Sequence, residues 1–355
     1  MRKSITETMG IDLGDRFSHA YALSHATGEV LGERRIATRP ADLEELFAGL
    51  PPMRIVLETG THANWVARLA ARHGHTTVVA QARRLRMIYE NPNKSDAVDA
   101  RMLAELGSTH PELLHPVQVR SEETSAHLAR LRARANLIDA RTQLVNAARG
   151  LVKSLGHRLP TCSTEAFPKK AREARPKILA PAVDPLLVAI AQITRQVRTL
   201  DRDIENLCAT RYAAQTRRLL EVPGVGRLTA LSFVLIVGDP ARFPRTRDVG
   251  AYLGLVPRRD QSGASDPQLR ITKCGDTMLR ALLVQCAHYI LGPFGEDCDL
   301  RRWGEARAKR GGKSAKRRAA VAVARRLAVL LLTLWKRDVP YEPLKNAARA
   351  TAAAV

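Results

Sequence analysis

Met9-Gly10-Ile11-Asp12-Leu13-Gly14, followed by Phe17-Ser18-His19-Ala20-Tyr21-Ala22-Leu23, decides how the first hundred residues fold. The first stretch is a short apolar run ended by a carboxylate. The second alternates, and Glu29–Ala37 resumes after the turn-forming Ser24-His25-Ala26-Thr27-Gly28. Short runs of this kind bounded by turn residues read as strands, so three meandering strands are expected. Working outward, Pro40–Leu50 reads as a short helix and Arg54–Glu58 as a fourth strand. Asn64–His73 reads as a helix and Thr76–Ala80 as a fifth strand. Ser95 is a good N-cap for a helix running to about Leu106.

Three meandering strands followed by alternating helix and strand is the order of a ribonuclease-H-like α/β domain. A mixed sheet of this kind commonly places ligands at the carboxyl ends of its parallel strands. Four carboxylates fall where such a site would lie. Asp12 and Glu58 each end an apolar run, and Asp96 and Asp99 sit three apart in Lys94-Ser95-Asp96-Ala97-Val98-Asp99-Ala100. Residues three apart on a helix share a face, their Cβ atoms roughly 5–6 Å apart. A buried carboxylate is costly unless a cation meets it. One or two divalent ions shared by this quartet would suit phosphoryl transfer on nucleic acid. Mg²⁺, or Mn²⁺ in its place, fits all-oxygen ligation. Singly, each residue has a structural reading, such as a turn, a strand end or a favoured place in a first helical turn. The order in which they occur together favours an active site.

The chain has 355 residues and a formal charge of +22, a balance that points to a polyanionic partner such as DNA or RNA. Residues 1–110 are nearly neutral, at +1, and the remainder carries +21. That asymmetry fits a unit needing its own carboxylates joined to a segment that grips phosphates. Cys162, Cys208, Cys274, Cys286 and Cys298 lack metal-ligand spacing and read as reduced thiols of a cytoplasmic protein. No signal peptide is evident. The apolar stretch Leu327 to Trp335 is too short to span a bilayer, so no membrane is expected.

From about Glu122 the texture is helical. Gly156–Ala182, rich in Pro and basic residues, interrupts it. Leu186, Ile190, Ile193, Val197, Leu200, Ile204 and Leu207 then form a heptad seam, implying a coiled coil or a long helical hairpin. Pairing within the chain and pairing between two chains both satisfy such a seam. The domains expected are 1–110 catalytic, 111–217 helical with the interruption at 156–182, 218–295, and a basic helical segment 296–355. The fold class is therefore α/β followed by α, the last part opening on a helix-hairpin-helix-like turn.

The four acidic segments closely resemble the DEDD insertion-sequence transposases, the IS one-ten family. Gly10-Ile11-Asp12, Leu57-Glu58-Thr59-Gly60 and Lys94-Ser95-Asp96-Ala97-Val98-Asp99-Ala100 carry the likeness, the last most specifically. The resemblance implies a RuvC-like N-terminal domain whose tetrad Asp12, Glu58, Asp96 and Asp99 binds divalent metal, a coiled coil, and a C-terminal transposase domain.

The second domain of that family resembles the series from Val222-Pro223-Gly224-Val225-Gly226 through Tyr252-Leu253-Gly254-Leu255-Val256-Pro257 and Gln261-Ser262-Gly263 to Arg270-Ile271-Thr272-Lys273-Cys274-Gly275-Asp276. Gly224 and Gly226 would let backbone N–H groups approach a phosphate at a helix start. The family implies a serine nucleophile, and Ser262 matches it, with Ser265 competing. A serine hydroxyl needs an activating base or metal. No His is near in sequence, His288 reading as a packed residue of the helix Met278–Leu291. Arg258, Arg259, Arg270 and Lys273 are available to neutralise phosphate charge. Lys316, Arg317 and Arg318, near Lys309-Arg310-Gly311-Gly312-Lys313, read as a face that tracks a phosphate backbone. The resemblance further implies a prokaryotic recombinase acting as a dimer or tetramer on element and target DNA, guided by a bridge RNA transcribed from the element. Two rivals stay open: a RuvC-like junction resolvase without a covalent intermediate, and an architectural nucleic-acid-binding protein.

Overall fold

The computed structural model describes residues 5–81, 95–263, 265–267, 269–312 and 314–346. Lys94, Lys313 and the tail Ala347–Val355 lie outside the described residues. The chain divides into two compact units, Met1–Ser125 and Ala126–Val355.

In the first unit, β1 (Glu7–Asp12), β2 (Phe17–Ser24), β3 (Val30–Ala37), β4 (Arg54–Glu58) and β5 (Thr76–Ala80) form one sheet. Its order is β3-β2-β1-β4-β5. The first three strands pair antiparallel, and β4 joins β1 and β5 in parallel. This is the mixed α/β arrangement that strand order foretold. Met9, Ile11, Ile55 and Leu57 face one side, packing with Leu43 and Phe47 of α1 (Pro40–Ala48) and Val66 of α2 (Ala63–Arg72). On the other side Tyr21 and Leu23 pack with Ala100 and Ala104 of α3 (Asp96–Thr109), and Val56 with Leu103. Because helices cover both faces, β4 is apolar at every interior position: Ile55, Val56 and Leu57 are fully buried.

In the second unit, α4 (Glu122–Lys153) and α6 (Ala180–Ala209) run antiparallel. Arg134 binds Asp201, Arg141 donates to Thr194 Oγ1 at 3.3 Å, and Ala148 and Val152 pack with Val183 and Leu187. The seam residues Ile190, Val197 and Ile204 are buried inside the chain. Helix 177–209 is long and apolar enough to cross a membrane by length and composition, but α4 and α5 (Phe167–Ala174) cover part of its apolar side.

The Pro-rich stretch is less of an interruption than its composition suggests. It contains α5, and α6 starts before its end, because proline is tolerated in a helix's first turn, where its missing N–H costs nothing. Pro168 occupies such a place in α5.

The largest core lies further on. It is built around α8 (Arg227–Val237), buried from Thr229 to Val237, with α7 (Ala213–Leu220), α10 (Thr277–Leu291), α11 (Asp299–Ala308) and α12 (Ala315–Arg337). A helix apolar on every side must be enclosed. The short helix α9 (Val249–Tyr252) precedes a hairpin. There Arg258 N donates to Arg270 O and Thr272 N to Val256 O, each at 2.9 Å. Leu128 and Leu131 of α4, and Ile204 and Leu207 of α6, belong to this same core.

Candidate active site

Ile11 and Leu57 are register partners in the parallel pair β1–β4. One step on, Asp12 and Glu58 therefore end neighbouring strands at their carboxyl edge. Side chains alternate along a strand, so both point to the face that α3 covers. Helix α3 lies against β1 without any intervening side chain. A Cβ built on Gly10 would lie 2.1 Å from Ala100 O and 2.4 Å from Ala104 N. At the far end Arg54, the first residue of β4, donates to Gly107 O. The helix thus runs antiparallel to the strands, and its first turn comes to the edge where Asp12 and Glu58 end.

That first turn carries Asp96 and Asp99. Ser95 caps it, its Oγ accepting from Val98 N at 3.3 Å and its carbonyl from Asp99 N at 2.9 Å. Asp99 is buried, whereas the Asp96 side chain is 71% exposed. His19, the register partner of Asp12, shares its face and brings Nε2 to 4.0 Å from Asp96 Oδ2. Sequence reasoning missed His19, although its offset from Asp12 across a tight β1–β2 connection was a usable signal.

The electrostatics match this crowding. Burial, then the charges of Asp96, Asp99 and Glu58, push the Asp12 carboxyl up to about 6, with His19 opposing. A surplus of negative charge among oxygen ligands is what a hard divalent cation relieves. The donor set therefore fits such an ion. Among the described residues, no three His, Cys, Asp or Glu side chains close to metal-ligating spacing.

In the second unit, Ser262 and Ser265 face each other at the tip of the hairpin. Ser262 N donates to Ser265 O at 3.1 Å and Ser265 N to Ser262 O at 2.9 Å, and both are exposed. Arg258, Arg259, Arg270 and Lys273 are exposed on the same hairpin or at its base. His288 is exposed on α10, not packed as expected from its apolar surroundings. Cys286, Ala287 and Ile290 take the buried face instead, and Tyr289 is exposed beside it.

The hairpin base is pinched shut. Gly254 has φ +69 and would place a Cβ 2.1 Å from Cys274 O. Arg280, only 9% exposed, bridges the pinch: Nη1 donates to Leu253 O at 3.2 Å and to Cys274 O at 3.1 Å, and Nη2 to Thr277 Oγ1 at 3.2 Å. Nothing in its helical pattern marks this arginine, because the bond that closes the pinch goes to the Leu253 carbonyl, far away in sequence. Gly224, at φ +86, and Gly226, the N-cap of α8, form the turn into that helix. Lys316, Arg317 and Arg318 are exposed in the first turn of α12.

Comparison with known proteins assigns these parts to one lineage. Residues 9–156 match the DEDD transposase family of the IS110 type, and residues 216–294 match the family described as transposase IS116/IS110/IS902. The chain is 32% identical to the transposase for insertion sequence element IS1111A of Coxiella burnetii, over 88% of this chain and 85% of that one. It is 30% identical to the transposase for insertion sequence element IS1328 of Yersinia enterocolitica, over 79% of this chain and 82% of that one. The chain belongs to the IS110 family of insertion-sequence transposases, enzymes that cleave and rejoin DNA.

Proposed function

We propose that Asp12, Glu58, Asp96 and Asp99 together hold Mg²⁺ or Mn²⁺ and that Ser262 is the nucleophile of strand transfer. The observation that carries the metal reading is that Asp12 and Glu58 end neighbouring parallel strands on the face where the first turn of α3 brings Asp96 and Asp99, a crowding of like charge that raises the Asp12 carboxyl. When bound, a divalent cation supplies Lewis-acid stabilisation of charge on phosphoryl oxygens. The protein's own part is to hold the carboxylates ionised and converging, which the docking of α3 on Gly10 supports.

Ser262 Oγ forms a bond to phosphorus as the bond to one deoxyribose oxygen breaks. The serine loses a proton and the leaving oxygen gains one. Joining runs the same exchange backwards, so the bond energy is kept for rejoining. Exposure of Ser262 at a hairpin tip among Arg258, Arg259 and Arg270 supports this assignment. Domains 1–110, 111–217, 218–295 and 296–355 divide the work, with Gly224, Gly226, Lys273 and Lys316 to Arg318 contacting phosphates. A guide RNA from the element selects the DNA by base pairing. Two or four chains assemble through the exposed flank of the α4–α6 hairpin, in the prokaryotic cytoplasm.

The test is a pair of substitutions assayed on element-end DNA. Asp99→Asn abolishes cleavage in Mg²⁺ while nucleic-acid binding stays intact or tightens. Ser262→Ala abolishes the covalent DNA–protein adduct and strand joining. Adduct formation that survives Ser262→Ala but is lost in Ser265→Ala would move the nucleophile three residues along. Cleavage without any adduct in the unaltered protein would make the enzyme a resolvase-like hydrolase.

A further inference from the structure

Between α11 and α12 runs a groove of about 750 Å³ whose lining includes Trp303, Arg307, Arg325, Arg326 and Thr333. Two guanidiniums share the one indole: Arg326 lies 3.7 Å and Arg307 5.0 Å from the Trp303 ring centroid. Neighbouring arginines are neutralised, Arg301 by Glu305 and Arg302 by Asp297. Among the described residues no carboxylate pairs with Arg307, Arg325 or Arg326. The two acids at the groove's other end are already engaged. Asp299 Oδ2 accepts from Asn346 N and Glu342 Oε1 from Lys345 Nζ, each at 2.8 Å.

Stacking uses the flat face of a guanidinium and leaves its five N–H donors directed outward from the edge, the geometry that meets a phosphate bidentately. Holding two such cations on one ring is unfavourable by itself. Burial and the Arg307 charge both hold Arg326 below the usual arginine range. An anion on their shared edge relieves that repulsion. Arg318, two turns before Arg326, continues the row on the same helical face, about 12 Å along the axis.

We infer that the Trp303 groove is a binding site for the backbone phosphates of a nucleic-acid strand, with Arg307 and Arg326 as its paired phosphate donors and Trp303 as the plate that orients them. The polyanion is identified as nucleic acid by the family's reaction. None of its residues belongs to the acidic set or to the Ser262 hairpin, and the proposal concerns substrate holding.

The test is equilibrium binding of the full chain, in EDTA, to a labelled DNA duplex and separately to a single-stranded RNA of equal length, from 50 to 300 mM KCl. Each lost phosphate contact lowers the slope of log K against log[salt] by about 0.7–0.9. Arg307→Gln with Arg326→Gln therefore lowers the slope by about 1.4–1.8, and affinity near 150 mM by about tenfold or more. The matched control, Lys169→Gln with Lys170→Gln on α5, removes the same charge and changes affinity less than about threefold. Arg326→Lys keeps the charge and the fold but loses the planar edge, and weakens binding severalfold. A deficit confined to the duplex assigns the groove to DNA, and one confined to the single strand assigns it to RNA. Binding by the double variant that matches the lysine control, or by Arg326→Lys that matches the unaltered protein, overturns the proposal. An unaltered protein that binds neither probe at 50 mM salt overturns the nucleic-acid reading together with it.

Discussion

Substituting Gly10 by alanine tests how the acidic edge is assembled. An added Cβ would lie 2.1 Å from Ala100 O and 2.4 Å from Ala104 N. Ordinary contact begins at 3.4 Å, and both atoms are backbone, so no side-chain rotation relieves the clash. Helix α3 must retreat from β1 by more than about 1 Å, opening the contacts of Ala100, Leu103 and Ala104 with the sheet. Overpacking of this kind costs about 1–3 kcal/mol, occasionally more. The retreat also carries Asp96 and Asp99 away from Asp12 and Glu58. A misplacement of about 1 Å in a catalytic constellation costs on the order of 100-fold in rate. Urea denaturation reads the first effect, and single-turnover cleavage of element-end DNA in Mg²⁺ reads the second. Unchanged stability together with unchanged cleavage in Gly10→Ala would refute the close docking of α3 and the convergence derived from it.

Asp12→Asn stabilises the metal-free protein at neutral pH. The carboxyl is raised from 3.8 to about 6, so the stability it contributes is fully present below pH 3.8 and lost as pH rises through about 6. Allowing for its partial exposure, the asparagine variant gains about 1 kcal/mol at pH 7.5 in EDTA and nothing below pH 4. Denaturant midpoints across that range check it, and destabilisation at pH 7.5 would contradict it. Arg280→Met leaves Leu253 O and Cys274 O without the bond that closes the hairpin base and costs about 2–4 kcal/mol. Proteolysis between residues 257 and 271 accelerates in that variant, and strand joining falls more than DNA binding.

Sequence reading located the sheet well because its signals are local. Asp12 follows a run whose alternate residues sort to opposite faces, and Ser95 is a cap recognisable from its own side chain. The antiparallel pairing of α4 with α6 was legible as a seam, but its partner was not, since a heptad pattern does not say whose helix fills it. Pro168 misled because proline both ends helices and begins them. His288 misled because an apolar helix still has an outward face. Arg280 left no trace because its role rests on the Leu253 carbonyl, 27 residues away, and the Trp303 groove left none because two helices build it. The four carboxylates stood out for the opposite reason: three of them sit at a strand end or beside a helix cap.

The antiparallel pair α4–α6 joins two apolar centres: Leu128, Leu131, Ile204 and Leu207 at one end, and Ala148, Val152, Val183 and Leu187 at the other. A connection of this kind behaves as an extensible spacer. Seven residues added to each helix would restore the facing positions and move the two centres about 10 Å further apart. One residue added to a single helix would rotate its seam away from its mate. Relatives of this enzyme can therefore change its reach in whole heptads without redesigning either centre.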